Sequence, residues 1–151
     1  MAKKRGDRKP WMSAEDYGRS LRGFQVGLLV KDVARSVAFA REVLEAQVIY
    51  ADPDFAVLRH GSGPEWMVHA DHTYGSHPLL GLTGDGALRG AGIELRLHDH
   101  DPDRAAATAA RLGHTILAEA ADKPHGLRES YLVDLDGYVW VPDRPLAKSS
   151  S

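Results

Sequence analysis

The sequence predicts an α+β fold built from two βαβββ modules whose sheets form a curved, open barrel-like surface with the helices outside. Three observations predict it. The run Gln25-Val-Gly-Leu-Leu-Val-Lys-Asp32 is answered 69 positions later by Glu94-Leu-Arg-Leu-His-Asp-His-Asp101; each opens on a polar residue, alternates, and closes on Asp. Each run is followed by a helical pattern and then by short strand patterns. The tryptophans repeat as well: Trp66 stands three residues after Gly63, and Trp140 three after Gly137.

Taken in order, residues 1–22 read as an arm. Lys3, Lys4, Arg5, Arg8 and Lys9 form a basic tip, and the stretch from Pro10 through Trp11, Met12 and Tyr17 shows no sustained periodicity. Trp11, Met12 and Tyr17 are costly to leave in water, so this part is expected to lie on the body or on a second subunit.

The first module, residues 23–74, opens with a strand over 24–30, in which alternation puts Val26, Leu28 and Val30 on one face and Gln25, Gly27 and Leu29 on the other. Asp32 is a good N-cap, and Val33, Val37, Ala40 and Leu44 make one helix face. Strands over 47–50, 55–60 and 65–70 follow, separated by Asp52-Pro53-Asp54 and Gly61-Ser62-Gly63-Pro64. Residues 75–91 form a glycine-rich connector.

The second module, residues 92–146, repeats the order. Its opening strand, 93–98, carries Leu95 and Leu97 on one face and Glu94, Arg96 and His98 on the other. Such a polar face cannot be buried against apolar helices without a large desolvation cost, so it faces water, a partner or a cavity. Asp101 caps a helix with Pro102 at its first position, Gly113 just past its end, and Ala105, Ala109 and Leu112 as its apolar stripe. Strands over 114–119, 130–133 and 138–142 complete the module, the last pair joined by Asp134-Leu135-Asp136-Gly137. Residues 147–151 are disordered by composition.

With 151 residues, 43% hydrophobic and 26% charged, the chain can bury a sizeable core. A net charge of −2 gives the body no electrostatic reason to bind nucleic acid or an anionic membrane. The absence of cysteine excludes disulfides, zinc thiolate sites and cysteine nucleophiles. No apolar run approaches the roughly 20 residues of a membrane span, and no hydrophobic segment follows the basic tip, so a cytoplasmic protein is expected. Gly-x-Ser-x-Gly is missing, and the glycines of 81–86 lack the Lys-Ser/Thr of a phosphate loop. His69-Ala-Asp-His72 runs from a strand end into a loop, which is not the helical spacing of a zinc protease.

The residues Gln25 to Asp32, Ser36-Val-Ala-Phe39, Asp122-Lys-Pro-His-Gly-Leu-Arg-Glu129 and Asp134-Leu-Asp-Gly-Tyr-Val-Trp140 resemble the vicinal oxygen chelate superfamily. That group includes glyoxalase I, extradiol dioxygenases, fosfomycin-resistance enzymes and bleomycin-resistance proteins. The resemblance spans roughly residues 23–146. It implies metal ligands from the first and last strands of each module, projecting into a shared concavity; these positions fall on Gln25 and Glu94, oxygen donors that a divalent cation accepts. Two departures stand out. Val141 occupies the place of the closing-strand glutamate, with Met67 as its counterpart in the first module and His69 one pleat further on. Glu45 replaces the glycine that usually ends the first helix, so that turn cannot rely on glycine's freedom at positive φ.

Two function classes follow. The first is a small-molecule binder of the bleomycin-resistance type without a complete metal site, contacting its ligand through Gln25, Met67, His69, Glu94, Arg96 and Val141. The second is a glyoxalase-like lyase or isomerase, or a dioxygenase, holding one divalent metal with Gln25, His69 and Glu94 and moving a proton with Glu94 or His69. The missing carboxylate at Val141 favours the first. The polarity of Glu94, Arg96, His98 and His69 keeps the second open, as does the alternative that Glu94 simply pairs with Arg96. His125-Gly126-Leu127-Arg128 reads equally as a cavity rim or a polar surface loop, whereas His72, His77, His100 and His114 are expected at the surface. Parity puts Trp66 and Trp140 in the helix-facing core. A homodimer is expected, because modules of this superfamily often complete their cavity across subunits and the arm's apolar residues need a place to pack.

Overall fold

The computed structural model describes residues 9–73, 78–83 and 89–148; Lys3, Lys4, Arg5, Arg8, His77 and residues 149–151 lie outside the described residues. The elements run α1 (Ala14–Ser20), β1 (Gly27–Val30), α2 (Val33–Glu42), β2 (Gln47–Ala51), β3 (Phe55–Arg59), β4 (Glu65–Ala70), β5 (Glu94–His98), α3 (Pro102–Arg111), β6 (Thr115–Asp122), β7 (Leu127–Val133) and β8 (Val139–Pro145). Short 3-10 turns occupy Asp71–Thr73 and Pro78–Leu82. The predicted βαβββ order therefore occurs twice, in an α+β fold with two open, mixed four-stranded sheets, β1-β4-β3-β2 and β5-β8-β7-β6. In each, the first strand runs parallel to the last and the other pairings are antiparallel.

The chain divides into two compact units. One comprises the described residues up to Arg41 together with Ala46 to Leu82; the other comprises Glu42–Glu45 and the described residues from Thr83 onward.

In the first unit, alternation sorts the sheet. Leu28, Val30, Ala56, Leu58, Trp66, Val68 and Ala70 share one face by register and are all buried. Burying one such side chain stabilises the fold by about 1.5–3 kcal/mol. The opposite face carries Gly27, Leu29, Phe55, Val57, Met67 and His69. Helix α2 starts where Asp32 Oδ1 accepts from the Arg35 N–H at 3.0 Å, and it buries Val33, Val37, Phe39 and Ala40. Phe24, expected in the opening strand, lies before β1 and is 87% exposed, because pairing with β4 begins only at Gly27.

The second unit repeats this. Leu97, Leu132, Trp140 and Pro142 are buried on one face, and Ala105, Ala106 and Ala109 of α3 are buried as well. Ser130, on that same face, donates its hydroxyl to the Pro102 carbonyl at 3.0 Å, tying β7 to the start of α3. Asp101 accepts from the Asp103 and Arg104 amides at 3.0 and 3.2 Å, and Gly113 takes the left-handed φ of 81° past the helix end. Leu112 does not join the stripe: it is exposed at the C-cap, and Ala106 takes the buried position instead. The Asp134 turn is held by its own carboxylate, which accepts from the Asp136 and Tyr138 amides and from Trp140 Nε1, each at 3.0 Å. Burial raises the Asp134 pKa against the pull of those bonds.

Two expectations need correction, one for the arm's local structure and one for His100. Residues 14–20 of the arm form a helix, which Ser13 caps by accepting from the Asp16 amide at 3.1 Å. The arm lies on the body of its own chain: the Trp11 and Tyr50 rings are 5.3 Å apart, and those of Tyr17 and Phe55 are 6.1 Å apart. Its rings therefore pack on the sheet of the same chain, with Trp11 still 44% exposed. Glu45 adopts a φ of 52° without being glycine, and Arg104 grips its carboxylate at 2.7 and 3.1 Å. His100, expected at the surface, is buried, with Nε2 3.1 Å from the Val43 carbonyl and Nδ1 3.5 Å from Glu45. Among the described residues no helix is long and apolar enough to cross a membrane.

Candidate functional site

In the second unit the strand face opposite Leu97 and Trp140 carries a connected charge cluster. Register places Arg96 beside Val141 and His98 beside Asp143, and it places Asp143 beside Glu129. Arg96 Nη1 donates to Glu94 Oε2 at 3.0 Å, while Nη2 donates to Asp143 Oδ2 at 2.9 Å and to Glu129 Oε2. The Tyr131 hydroxyl lies 2.9 Å from Glu94 Oε1 and 3.3 Å from Glu129 Oε1. His98 Nδ1 lies 2.8 and 3.1 Å from the two Asp143 oxygens, and His125 Nε2 lies 3.2 Å from Glu129.

Burial sets the electrostatics. The Glu129 and Asp143 side chains are only 2% and 1% exposed, and the Arg96 guanidinium lies between them as the partner that buried carboxylates require. Burial alone would lower the Arg96 pKa; its bonds to Glu129, Glu94 and Asp143 more than offset this and hold it well above its ordinary value. Burial likewise pushes Glu129 up, but Arg96 and His125 bring its carboxyl below the ordinary range. The bond to Glu94 and burial together raise Tyr131. His98 meets Asp143 through Nδ1, and its side chain is otherwise 68% exposed.

The sequence-derived residues divide between two faces. Glu94 and Arg96 form the anticipated pair, and Val141, beside Arg96, is fully buried and offers no donor atom. Met67 and His69 lie on the first sheet's Phe55–Val57 face, and the His69 ring packs 5.1 Å from that of Phe55. Gln25 Nε2 points at the Tyr17 hydroxyl at 3.4 Å. His69 and His72 do not act together, since His72 Nε2 is 3.0 Å from the buried Asp54. The His125–Arg128 stretch splits: His125 joins the cluster, whereas Arg128 turns to Asp103 and Asp122 at 2.7 and 2.9 Å. Glu129, Tyr131 and Asp143 were absent from the expected set, although Asp143 is two residues beyond Val141 and therefore on its face.

The resemblance implies a divalent metal, and the donors do not fit one. The Glu94 carboxylate is shared by a cation and a phenol, Val141 is apolar, and the amide of Gln25 is directed at Tyr17. Among the described residues no group of three His, Cys, Asp or Glu is placed to hold a metal ion. A guanidinium stands among the carboxylates that such an ion would need.

The sequence matches no family model and no curated protein. Solved structures do match. A glyoxalase/bleomycin resistance protein/dioxygenase family enzyme from Burkholderia phytofirmans is 18% identical with a TM-score of 0.67, over 81% of this chain and 97% of that one. A glyoxalase/bleomycin resistance protein/dioxygenase from Nocardioides is 17% identical with a TM-score of 0.61, over 90% and 93%. The fosfomycin resistance protein FosX of Listeria monocytogenes is 16% identical with a TM-score of 0.60, over 82% and 93%. The fold is thus that of the glyoxalase/bleomycin-resistance proteins, as the sequence motifs implied.

Proposed function

We propose that this chain, which carries the glyoxalase/bleomycin-resistance fold, binds a small molecule without a metal ion. The proposed contacts are Gln25, Met67 and His69 on the first unit and Glu94 and Arg96 on the second, Val141 being too buried to reach a ligand, and the ligand has an apolar body and one polar end. The observation that carries this reading is Arg96, whose guanidinium bonds Glu94, Glu129 and Asp143 at once. That arrangement puts the chain's own cation among the carboxylates a metal ion would use, so part of their charge is balanced without one. On the first unit Met67 supplies apolar surface; on the second the exposed His98 ring and the outer edge of Glu94 supply hydrogen-bonding groups.

A homodimer belongs to the same reading and is tested by light scattering across a wide concentration range, where a monomer throughout would end it. The binding itself is tested by a thermal-shift screen of small oxygenated and aromatic compounds in EDTA. A ligand that stabilises the protein in chelator, and that Glu94→Gln weakens without abolishing, supports the proposal. Compounds that act only once divalent metal is restored would overturn it.

A further inference from the structure

The first unit holds a second feature that the charge cluster does not absorb. Five rings form a connected set on the face that carries Met67 and His69. Tyr50, Phe55 and His69 belong to the sheet, with Tyr50–Phe55 and Phe55–His69 centroids 6.2 and 5.1 Å apart. Trp11 and Tyr17 belong to the arm, are 5.2 Å apart, and lie over Tyr50 and Phe55 at 5.3 and 6.1 Å.

These ring contacts tie the arm to the sheet. Helix α1 has seven residues and none of them buried, and its ion pairs, Arg19 with Glu15 and Asp16, are internal to itself. A helix that short has no stability of its own in water. Among the described residues its polar tie to the rest of the unit is the 3.4 Å bond between Gln25 and Tyr17. Between α1 and β1 stands Gly23, at a φ of +70° and with open space around it, followed by the exposed Phe24. This is a hinge by composition and by surroundings. Trp11 keeps 44% of its surface in water even with the arm down.

We propose that this aromatic face is a binding site for a planar aromatic ligand, and that residues 9–22 are its hinged cover. The proposal rests on the small-molecule reading above and names the ligand class for it. Without ligand, the arm's rings satisfy those of the sheet. With ligand, the arm lifts about Gly23 and its rings close on the inserted plane. The ring contacts given up on opening must be replaced in kind: a π-system presents a negative face and a positive edge, which a saturated ring of equal area lacks. The polar groups beside the rings are the Gln25 amide, the Tyr17 hydroxyl and the Tyr50 hydroxyl, which donates to the Asp52 carboxylate at 2.6 Å, so the ligand is not an anion and carries one donor or acceptor on its rim.

The test uses the intact protein, calorimetry and amide hydrogen exchange, with 2-naphthol and acridone as planar probes and decahydro-2-naphthol as the saturated counterpart. A planar probe should bind at least about tenfold more tightly than the saturated one, and Trp11→Leu should weaken it by about tenfold while leaving the unfolding temperature in place. Exchange at residues 14–20 should slow when the planar probe is bound. Equal affinity for planar and saturated probes, an unaffected Trp11→Leu variant, or failure of both planar probes to bind would overturn the proposal. The broader reading has its own signal, since a ligand found in the thermal-shift screen that ignores Trp11→Leu leaves small-molecule binding standing and removes only the aromatic cover.

Discussion

Arg96 Nη2 lies 2.9 Å from Asp143 Oδ2 and bonds Glu129 with the same nitrogen, so two buried carboxylates converge on one atom of one side chain. Removing that atom leaves the two buried carboxylates without their shared cation. Arg96→Met should therefore destabilise the protein by on the order of 3–5 kcal/mol, the cost of an uncompensated buried charge. Adding Asp143→Asn should recover part of the loss, as read by urea denaturation. Because the vacated position is already surrounded by carboxylate oxygens, Mn2+ or Ca2+ should stabilise Arg96→Met in a thermal shift and leave the wild type unchanged. A fully stable Arg96→Met protein would show that the cluster carries little of the fold.

The same cluster fixes a pH dependence. The folded protein holds the Glu129 carboxyl below its ordinary value, so it gives up its proton at a lower pH than the unfolded chain does. Stability from Glu129 is complete above the unfolded value and is lost as pH falls through the folded one. Unfolding temperature should drop on acidification through the lower carboxylate range, and Glu129→Gln should flatten that drop. An unchanged slope in Glu129→Gln would place the acid sensitivity elsewhere, with Asp103, held low by Arg128, as the next group to examine.

Gly90 is pressed against the turn that leads into β8. A Cβ there would lie 2.6 Å from the Tyr138 Cα and 2.7 Å from the Gly137 carbonyl, both backbone atoms that cannot swing aside. Gly90→Ala should cost about 1–3 kcal/mol through forced displacement of the turn. Calorimetric unfolding reads this directly, and an unchanged unfolding temperature would mean that the turn gives way freely.

Much of this was readable from residue order. Asp32 and Asp101 mark the two helix starts, and the Gly-to-Trp spacing finds two buried tryptophans, because caps and alternation are local physics. The Glu94–Arg96 pair was readable too, being two residues apart on one strand face. Its full extent was hidden because Pro142 looks like the end of a strand, yet β8 continues to Pro145 and so brings Asp143 into register with His98. Glu129 comes from a third strand, and only pairing brings it to Arg96. The arm helix escaped periodicity because seven residues make too short a window; its one signal was Ser13 followed three places later by Asp16.

The central claim is that the chain binds its ligand without a metal ion. The measurement closest to it is calorimetry of chelator-treated protein with a ligand from the thermal-shift screen, first in EDTA and then in excess Mn2+. The account expects affinities agreeing within about twofold, and no heat from Mn2+ alone. Ligand binding that appears only with Mn2+, and that Glu94→Gln abolishes together with the metal, would contradict it.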